Sequence, residues 1–162
     1  RHGCAAIKWF HSNYLPLLIH AKLIYLFEKH TKGCNTPGSE EDRRKNQEFM
    51  QQHYLPALQE AITKEGVPDV KLTFAKQKYS IIGFTSAEEC WQVVGSWQGG
   101  QRQFNVYFPE ENIQGKKGFS CNEGKKPSTL ESFLIDERKI TLDLLVSRLI
   151  YRLNGQKWLG RN

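Results

Sequence analysis

Cysteine and histidine are the side chains most often found in zinc sites, in thiol redox chemistry and as a nucleophile with its base. The four cysteines stand at positions 4, 34, 90 and 121, so no pair has the C-x-x-C spacing of a zinc site and no histidine lies at metal-ligand spacing. All five histidines precede Tyr54, and four of them lie within residues 1–35. The spacing therefore predicts no metal site, no catalytic residue and no disulfide framework. It favours reduced thiols in a reducing compartment.

The segment from Gly118 to Ser128 has the glycines, lysines and hydroxyl group of a phosphate-binding loop, but not its spacing. Five residues separate Gly118 from Gly124, where such a loop has four, and Pro127 stands between the lysines and Ser128. The glycine fingerprint of a dinucleotide-binding fold is also missing from the sequence. The sequence therefore predicts no cofactor.

Basic side chains of the loops form the first part of a candidate interface with another protein. These residues are Lys116, Lys117, Lys125, Lys126, Arg138 and Lys139. If the fold brings them together, they form a basic patch suited to an acidic partner. The alternative is that each is an ordinary solvated surface charge.

Two tryptophans and an arginine complete this candidate interface. Trp97 precedes a Gly-Gly turn and Arg102 follows it, and an exposed indole at such a turn is a suitable anchor for a protein partner. The alternative for Trp97 is packing in the core or stacking on Arg102. Trp158 lies beyond the last predicted helix, where it either folds back on the domain or enters a partner.

Residues 89–108 predict a β-hairpin with a defined register. Gly99 and Gly100 suit a two-residue loop, because such loops need positive φ. Side chains alternate along a strand, so the register also defines one apolar face. The predicted partners on that face are Trp97 and Arg102, Gly95 and Phe104, Val93 and Val106, and Trp91 and Phe108. The other face carries Cys90 and Gln92 among polar residues, and we expect it to be solvated or to face a partner.

A helix is predicted ahead of this hairpin. Ser39 followed by Asp42 resembles a capping box, and an apolar stripe with three- and four-residue spacing continues to a stop at residues 66–68. Pro56 interrupts the stripe. It predicts either a kink or a junction between two shorter helices, because an interior proline removes a backbone hydrogen bond.

The remaining elements complete an α+β fold. Val70–Phe74 alternates like a strand, and Ile113–Cys121 is predicted to add a fourth short strand. A second capping pattern before Phe133–Ile135 predicts a short helix. The clearest helix is Leu142–Leu153, with Thr141 as its cap. We therefore expect a small antiparallel sheet of three to four strands flanked by an N-terminal and a C-terminal amphipathic helix.

The chain is predicted to hold a single domain, residues 39–162, after an extension of residues 1–38 that is processed, disordered or non-native. The formal charge of +6 is uneven: residues 1–35 carry five basic side chains and one acidic, whereas the other 127 residues carry 18 basic and 16 acidic. A domain so close to neutral weakens the electrostatic argument for nucleic-acid binding. We therefore predict no nucleic-acid partner.

Three motifs in order identify a family resemblance. They are ECWQVVGSW with GGQRQF in residues 89–104, PSTLESFLIDERK in residues 127–139 and RLNGQKWL in residues 152–159. Together they resemble a cyanobacterial and chloroplast family, long labelled a domain of unknown function, that includes subunit V of the photosynthetic NADH dehydrogenase-like complex. The resemblance covers about Glu48 to Asn162.

The resemblance implies a non-catalytic accessory subunit on the stromal hydrophilic arm of that complex, which is a ferredoxin-plastoquinone reductase. Such a subunit supports cyclic electron flow around photosystem I and holds no cofactor. Its partners are the other subunits, and acidic ferredoxin is a candidate contact for the lysine loops. It lies on the stromal side of the chloroplast thylakoid, or on the cytoplasmic side in a cyanobacterium, and reaches the membrane through partners only. Two alternatives stay open: a basic organellar RNA-binding module, and a thiol-dependent enzyme that uses Cys90 or Cys121.

Overall fold

Two helical segments and a five-stranded antiparallel sheet make up the described part of the chain. The structure, a computed structural model, describes residues 38–79, 81, 88–124 and 129–159. The helical elements are α1 (Glu40–Phe49), a π-helical turn (Met50–Tyr54), α2 (Leu55–Lys64) and α3 (Leu142–Gly155). The strands are β1 (Lys71–Lys78), β2 (Glu89–Trp97), β3 (Arg102–Phe108), β4 (Lys117–Glu123) and β5 (Glu131–Phe133), paired in that order across the sheet.

These elements confirm the predicted α+β class. They belong to one compact unit, Thr36–Asn162. The predicted extension, residues 1–38, lies outside the described residues except for Gly38.

The N-terminal helical segment begins where the capping pattern predicts. The Ser39 hydroxyl accepts a hydrogen bond from the Asp42 backbone N–H at 3.2 Å and so caps α1. The junction expected at Pro56 is a π-helical turn, in which the Leu55 N–H donates to the Met50 carbonyl. Pro56 then falls in the first turn of α2, directly after this wider turn, so the π-helical turn takes the place of the expected kink.

The hairpin register is confirmed pair by pair. The β2–β3 ladder contains Trp97 opposite Arg102, Gly95 opposite Phe104, Val93 opposite Val106 and Trp91 opposite Phe108. Its loop is longer than the predicted two residues, because Gln98 also adopts a positive φ of 53° and the strands stop at Trp97 and Arg102. Gly95 is required by packing, since a Cβ at this position would strike the Phe104 ring.

The region after the hairpin differs from the prediction. The fourth strand is Lys117–Glu123 instead of Ile113–Cys121, and residues 131–133 form strand β5 where a short helix was expected. β5 pairs with β4 through Phe133 opposite Lys117, so backbone pairing with a neighbouring strand overrides the local capping pattern. The strand ends at Phe133, and the next residue, Leu134, takes a left-handed φ of 55°.

One face of the sheet packs against the helices and forms the core. Tyr54 and Leu58 from the N-terminal segment and Leu145 and Leu149 from α3 are fully buried against it. The sheet contributes mostly aromatic and β-branched residues to this core, namely Trp91, Val93, Trp97, Phe104, Val106, Phe108, Phe119 and Phe133. The two helical segments therefore depend on the register of the hairpin for their packing surface.

The opposite face of the hairpin was predicted to be solvated or to face a partner, and the structure corrects this in part. Away from the turn the face is buried, at Cys90, Gln92, Asn105 and Tyr107, whereas Gln98 and Gln101 beside the turn are exposed. Gln92 has no exposed surface, and its side-chain amide donates to two backbone carbonyls at the end of β1, both at 2.9 Å. Asn105 in turn donates to the Gln92 side-chain oxygen at 3.1 Å. Tyr79, just after β1, stacks on Tyr107 with 5.3 Å between ring centroids. Polar residues fill this face because they bond to one another and to the backbone.

Candidate interaction surface

Trp97, Arg102 and Trp158 meet at the hairpin tip, but as internal packing. The two indoles lie edge to face with 5.5 Å between ring centroids, and they are 3% and 5% exposed. Arg102 donates from Nη1 to the Trp158 carbonyl oxygen at 3.0 Å, and its guanidinium lies 5.9 Å from the Trp158 ring.

This geometry changes the prediction for the hairpin tip. An exposed Trp97 was the condition for a partner anchor, and the contact with Trp158 removes that exposure. Arg102 stacks on Trp158, not on Trp97. These three residues therefore fix the segment after α3 onto the hairpin and do not form an exposed interface.

Lys117 does not belong to an exposed basic patch either. Its residue surface is 5% exposed, and its ammonium group donates to the backbone carbonyls of Ile113 and Gly115. Burial lowers the pKa of Lys117 to about 8, and the nearby Glu110 carboxylate opposes this shift. Lys117 is therefore a structural residue that closes the loop before β4.

Three of the predicted basic residues lie on the surface in neighbouring loops. Lys116, Arg138 and Lys139 are exposed, and none has an ion-pair partner within the described ranges. Their loops are joined by Gln114, whose side-chain amide exchanges two hydrogen bonds of 2.8 Å with the backbone of Ile140. Lys125 and Lys126 lie outside the described residues.

A surface groove between β5 and α3, which we call the β5–α3 groove, was not predicted. It has a volume of about 300 Å³ and is bounded by Ser132 and Ile135 on one side and by Arg148 and Tyr151 on the other. Ile135 is 76% exposed and Tyr151 is 75% exposed, and they are the large apolar residues that stand out from the described surface. Both line this one groove.

Ion pairs hold the two walls of the groove together. Arg148 on α3 pairs with Glu137 at 3.1 Å, and Arg152 one turn later makes two hydrogen bonds to Glu131 at 2.8 and 2.6 Å. The Arg152 guanidinium also covers the Phe119 ring at 5.2 Å. A bidentate pair of this kind restricts both side chains, so the groove has defined walls.

Little in the sequence pointed to this groove. Ile135 stood in a predicted short helix, and nothing in that prediction marked it as exposed. In the structure Phe133 is buried in β5, and the left-handed turn at Leu134 turns the next residue outward. The one signal was the position of Tyr151, an aromatic residue outside the apolar stripe of α3, which indicates a side chain that faces away from the core.

The two described cysteines are poor nucleophiles. Cys90 is 2% exposed, and burial raises the pKa of its thiol to about 11 despite hydrogen bonds from neighbouring groups. Burial also raises the pKa of the half-buried Cys121 thiol, against the influence of Arg152. Both therefore remain thiols at neutral pH.

The described residues contain no group of three or more side chains that could hold a metal ion. Within the same ranges, no helix combines the length and apolar character needed to cross a bilayer. The features that stand out are the hairpin, the loop closed by Lys117 and the exposed groove, and they define a small α+β domain with a candidate interaction surface.

The chain belongs to the family described as Protein of unknown function (DUF2996), whose model matches residues 40–160. This match covers all the described helices and strands. No curated protein is significantly similar to the chain.

Proposed function

We propose that this protein is a non-catalytic accessory subunit of the photosynthetic NADH dehydrogenase-like complex, the ferredoxin-plastoquinone reductase of cyclic electron flow around photosystem I. In this role it binds the other subunits of the hydrophilic arm and stabilises that arm. It lies on the stromal side of the thylakoid, or on its cytoplasmic side in a cyanobacterium, and is held at the membrane through its partners. The three sequence motifs that resemble subunit V support this assignment, and all three lie within the family match.

One observation carries the non-catalytic part of the proposal: side chains capable of chemistry are used to build the domain. The Lys117 ammonium binds two carbonyls of its own loop, and the Tyr107 hydroxyl bonds to Ser120 at 2.8 Å. Gln92 and Asn105 bond to each other and to the end of β1. These hydrogen bonds satisfy buried polar groups and so give each of these side chains a structural role.

Ferredoxin remains a candidate partner in this proposal. It is acidic, and Lys116, Arg138 and Lys139 offer exposed cations without internal partners in the described part of the chain. Electrostatic attraction between such surfaces raises association rates and weakens with salt.

Affinity purification of the tagged full chain from detergent-solubilised thylakoid membranes tests the proposal. We expect the hydrophilic-arm subunits to co-purify, and cross-linking with mass spectrometry to connect them directly to this chain. Recovery of the chain alone, or with RNA whose binding falls steeply with salt, would contradict the assignment. An untagged membrane preparation is the control for nonspecific recovery.

A further inference from the structure

We infer that the β5–α3 groove docks an acidic segment of a partner protein that carries a large apolar side chain. This inference rests on the proposed function, because it names the surface through which such a subunit binds its neighbour. Its apolar residues, Ile135 and Tyr151, were not among the interface residues predicted from the sequence.

The apolar part of the groove is an exposed pair on an otherwise well-buried domain. Ile135 and Tyr151 are each about three-quarters exposed, whereas the domain buries most of its other large apolar side chains. Their convergence on one groove gives a partner residue two apolar walls to contact. Interfaces are commonly anchored in this way, by an apolar centre that is enriched in tyrosine and surrounded by arginines.

The backbone supports the same reading. Leu134 adopts a left-handed φ of 55°, a conformation that is strained for a branched residue. As a result, Leu134 packs against the core while Ile135, one position later, points into solvent. Strain of this kind persists where the surrounding structure requires it and is concentrated at functional positions.

The charges around the groove favour an acidic occupant. Glu131 and Glu137 are already paired with Arg152 and Arg148. Asp143 is exposed in the first turn of α3, where the helix dipole stabilises a carboxylate.

The cations left over are Arg138 and Lys139, which follow Glu137 in the chain, and Lys116 in the adjoining loop. Asp136, which lines the groove, and Asp143 oppose them with two negative charges, so these exposed side chains together carry a net charge of +1. A partner segment with carboxylates beside its apolar anchor therefore complements both parts of the surface.

Site-specific photo-cross-linking tests the inference. The full chain with Tyr151 replaced by p-benzoylphenylalanine is incubated with solubilised thylakoid membranes and irradiated, and the cross-linked peptides are sequenced by mass spectrometry. The same probe at Thr73, exposed on the opposite edge strand, is the positional control. We expect a cross-link from position 151 alone, to an acidic segment of an arm subunit.

Charge reversal provides a second test of the inference. Arg138→Glu/Lys139→Glu is expected to lower the cross-link yield at position 151 by about tenfold. Lys71→Glu/Lys78→Glu makes the same change in net charge on exposed lysines of β1 and should leave the yield within about twofold. Far-UV circular dichroism confirms that both variants are folded.

Each other outcome overturns the inference. A cross-link to a second copy of the chain, to residues 1–38, or to a segment without carboxylates identifies a different occupant. A yield that is insensitive to Arg138→Glu/Lys139→Glu removes the charge argument. If position 151 gives no cross-link while the tagged chain still recovers the arm subunits, the groove is not the docking site and the proposed function stands; if the arm subunits are not recovered, the proposed function itself fails.

Discussion

Trp97 and Trp158 lie edge to face in the core, and this contact attaches the segment after α3 to the hairpin. Arg102 strengthens the attachment by bonding to the Trp158 carbonyl and covering its ring. The hairpin tip is thus a closed structural joint, and surfaces available to a partner lie elsewhere on the domain.

Trp158→Ala should destabilise the domain by about 3–5 kcal/mol, because it removes a buried aromatic side chain and leaves a cavity beside Trp97. Urea unfolding followed by circular dichroism measures the change. Tyr151→Ala removes an aromatic residue that is 75% exposed, and we expect it to cost no more than about 0.5 kcal/mol. Equal losses in the two variants would show that Trp158 is not a core residue.

Gly95→Ala should destabilise the domain by about 1–3 kcal/mol, since the new methyl group would collide with the fully buried Phe104 ring. Thermal unfolding measures the effect. Ser96→Ala, at the next position of β2, changes a partly exposed residue and serves as the control. A neutral Gly95→Ala would mean that the Phe104 ring can move aside.

The buried Lys117 predicts a rise in stability on the alkaline side. Its pKa is lowered from 10.5 to about 8 in the folded domain, so between these values the unfolded chain binds more protons than the folded one. Stability must then increase with pH across this window, and the penalty for burying the ammonium is fully present below pH 8.

Unfolding free energies of the wild type and of Lys117→Met between pH 7 and about 10.5 test this sign. We expect the wild type to gain stability relative to the variant as pH rises, because other titrating groups are common to both. A difference that stays constant with pH would show that the ammonium is solvated. Lys116→Met, which removes an exposed lysine at the preceding position, is the matched control.

Cys90 should resist alkylation in the folded protein. Burial holds its pKa near 11 and shields the sulfur, so iodoacetamide at pH 7.5 is expected to modify it at least about a hundredfold more slowly than in urea-unfolded protein. Peptide-resolved mass spectrometry follows each cysteine separately. Rapid modification of Cys90 in the folded chain would revive the thiol-dependent enzyme as an alternative.

The hairpin was predictable because two local signals agree. The glycine-rich turn and the alternation of apolar residues specify the same register, and Trp97 falls opposite Arg102 in both. The caps at Ser39 and Thr141 were predictable for a similar reason, since each bond joins residues three positions apart.

The remaining features depend on contacts between distant parts of the chain. Strand β5 forms because β4 offers it a backbone edge, although its own residues favour a cap and a helix. Gln92 is buried because the end of β1 supplies carbonyl acceptors about 15 residues away, and a polar residue without such partners would have stayed in water. Lys117 follows the same rule, so composition alone could not separate it from the exposed Lys116.

The π-helical turn at Met50–Tyr54 also sets the rotational phase of the N-terminal segment. Four residues of an α-helix turn by about 400°, which is about 40° more than a full turn. Over the three steps from Met50 to Ile62 this offset would add up to about 120°. One additional residue in the wider turn takes back about 100°, which keeps Met50, Tyr54, Leu58 and Ile62 in line and fully buried. Deleting one residue from this turn would therefore rotate α1 about its axis relative to α2 instead of merely shortening the segment. It would also move the Asn46 side chain away from the Ile113 N–H, from which it accepts a hydrogen bond.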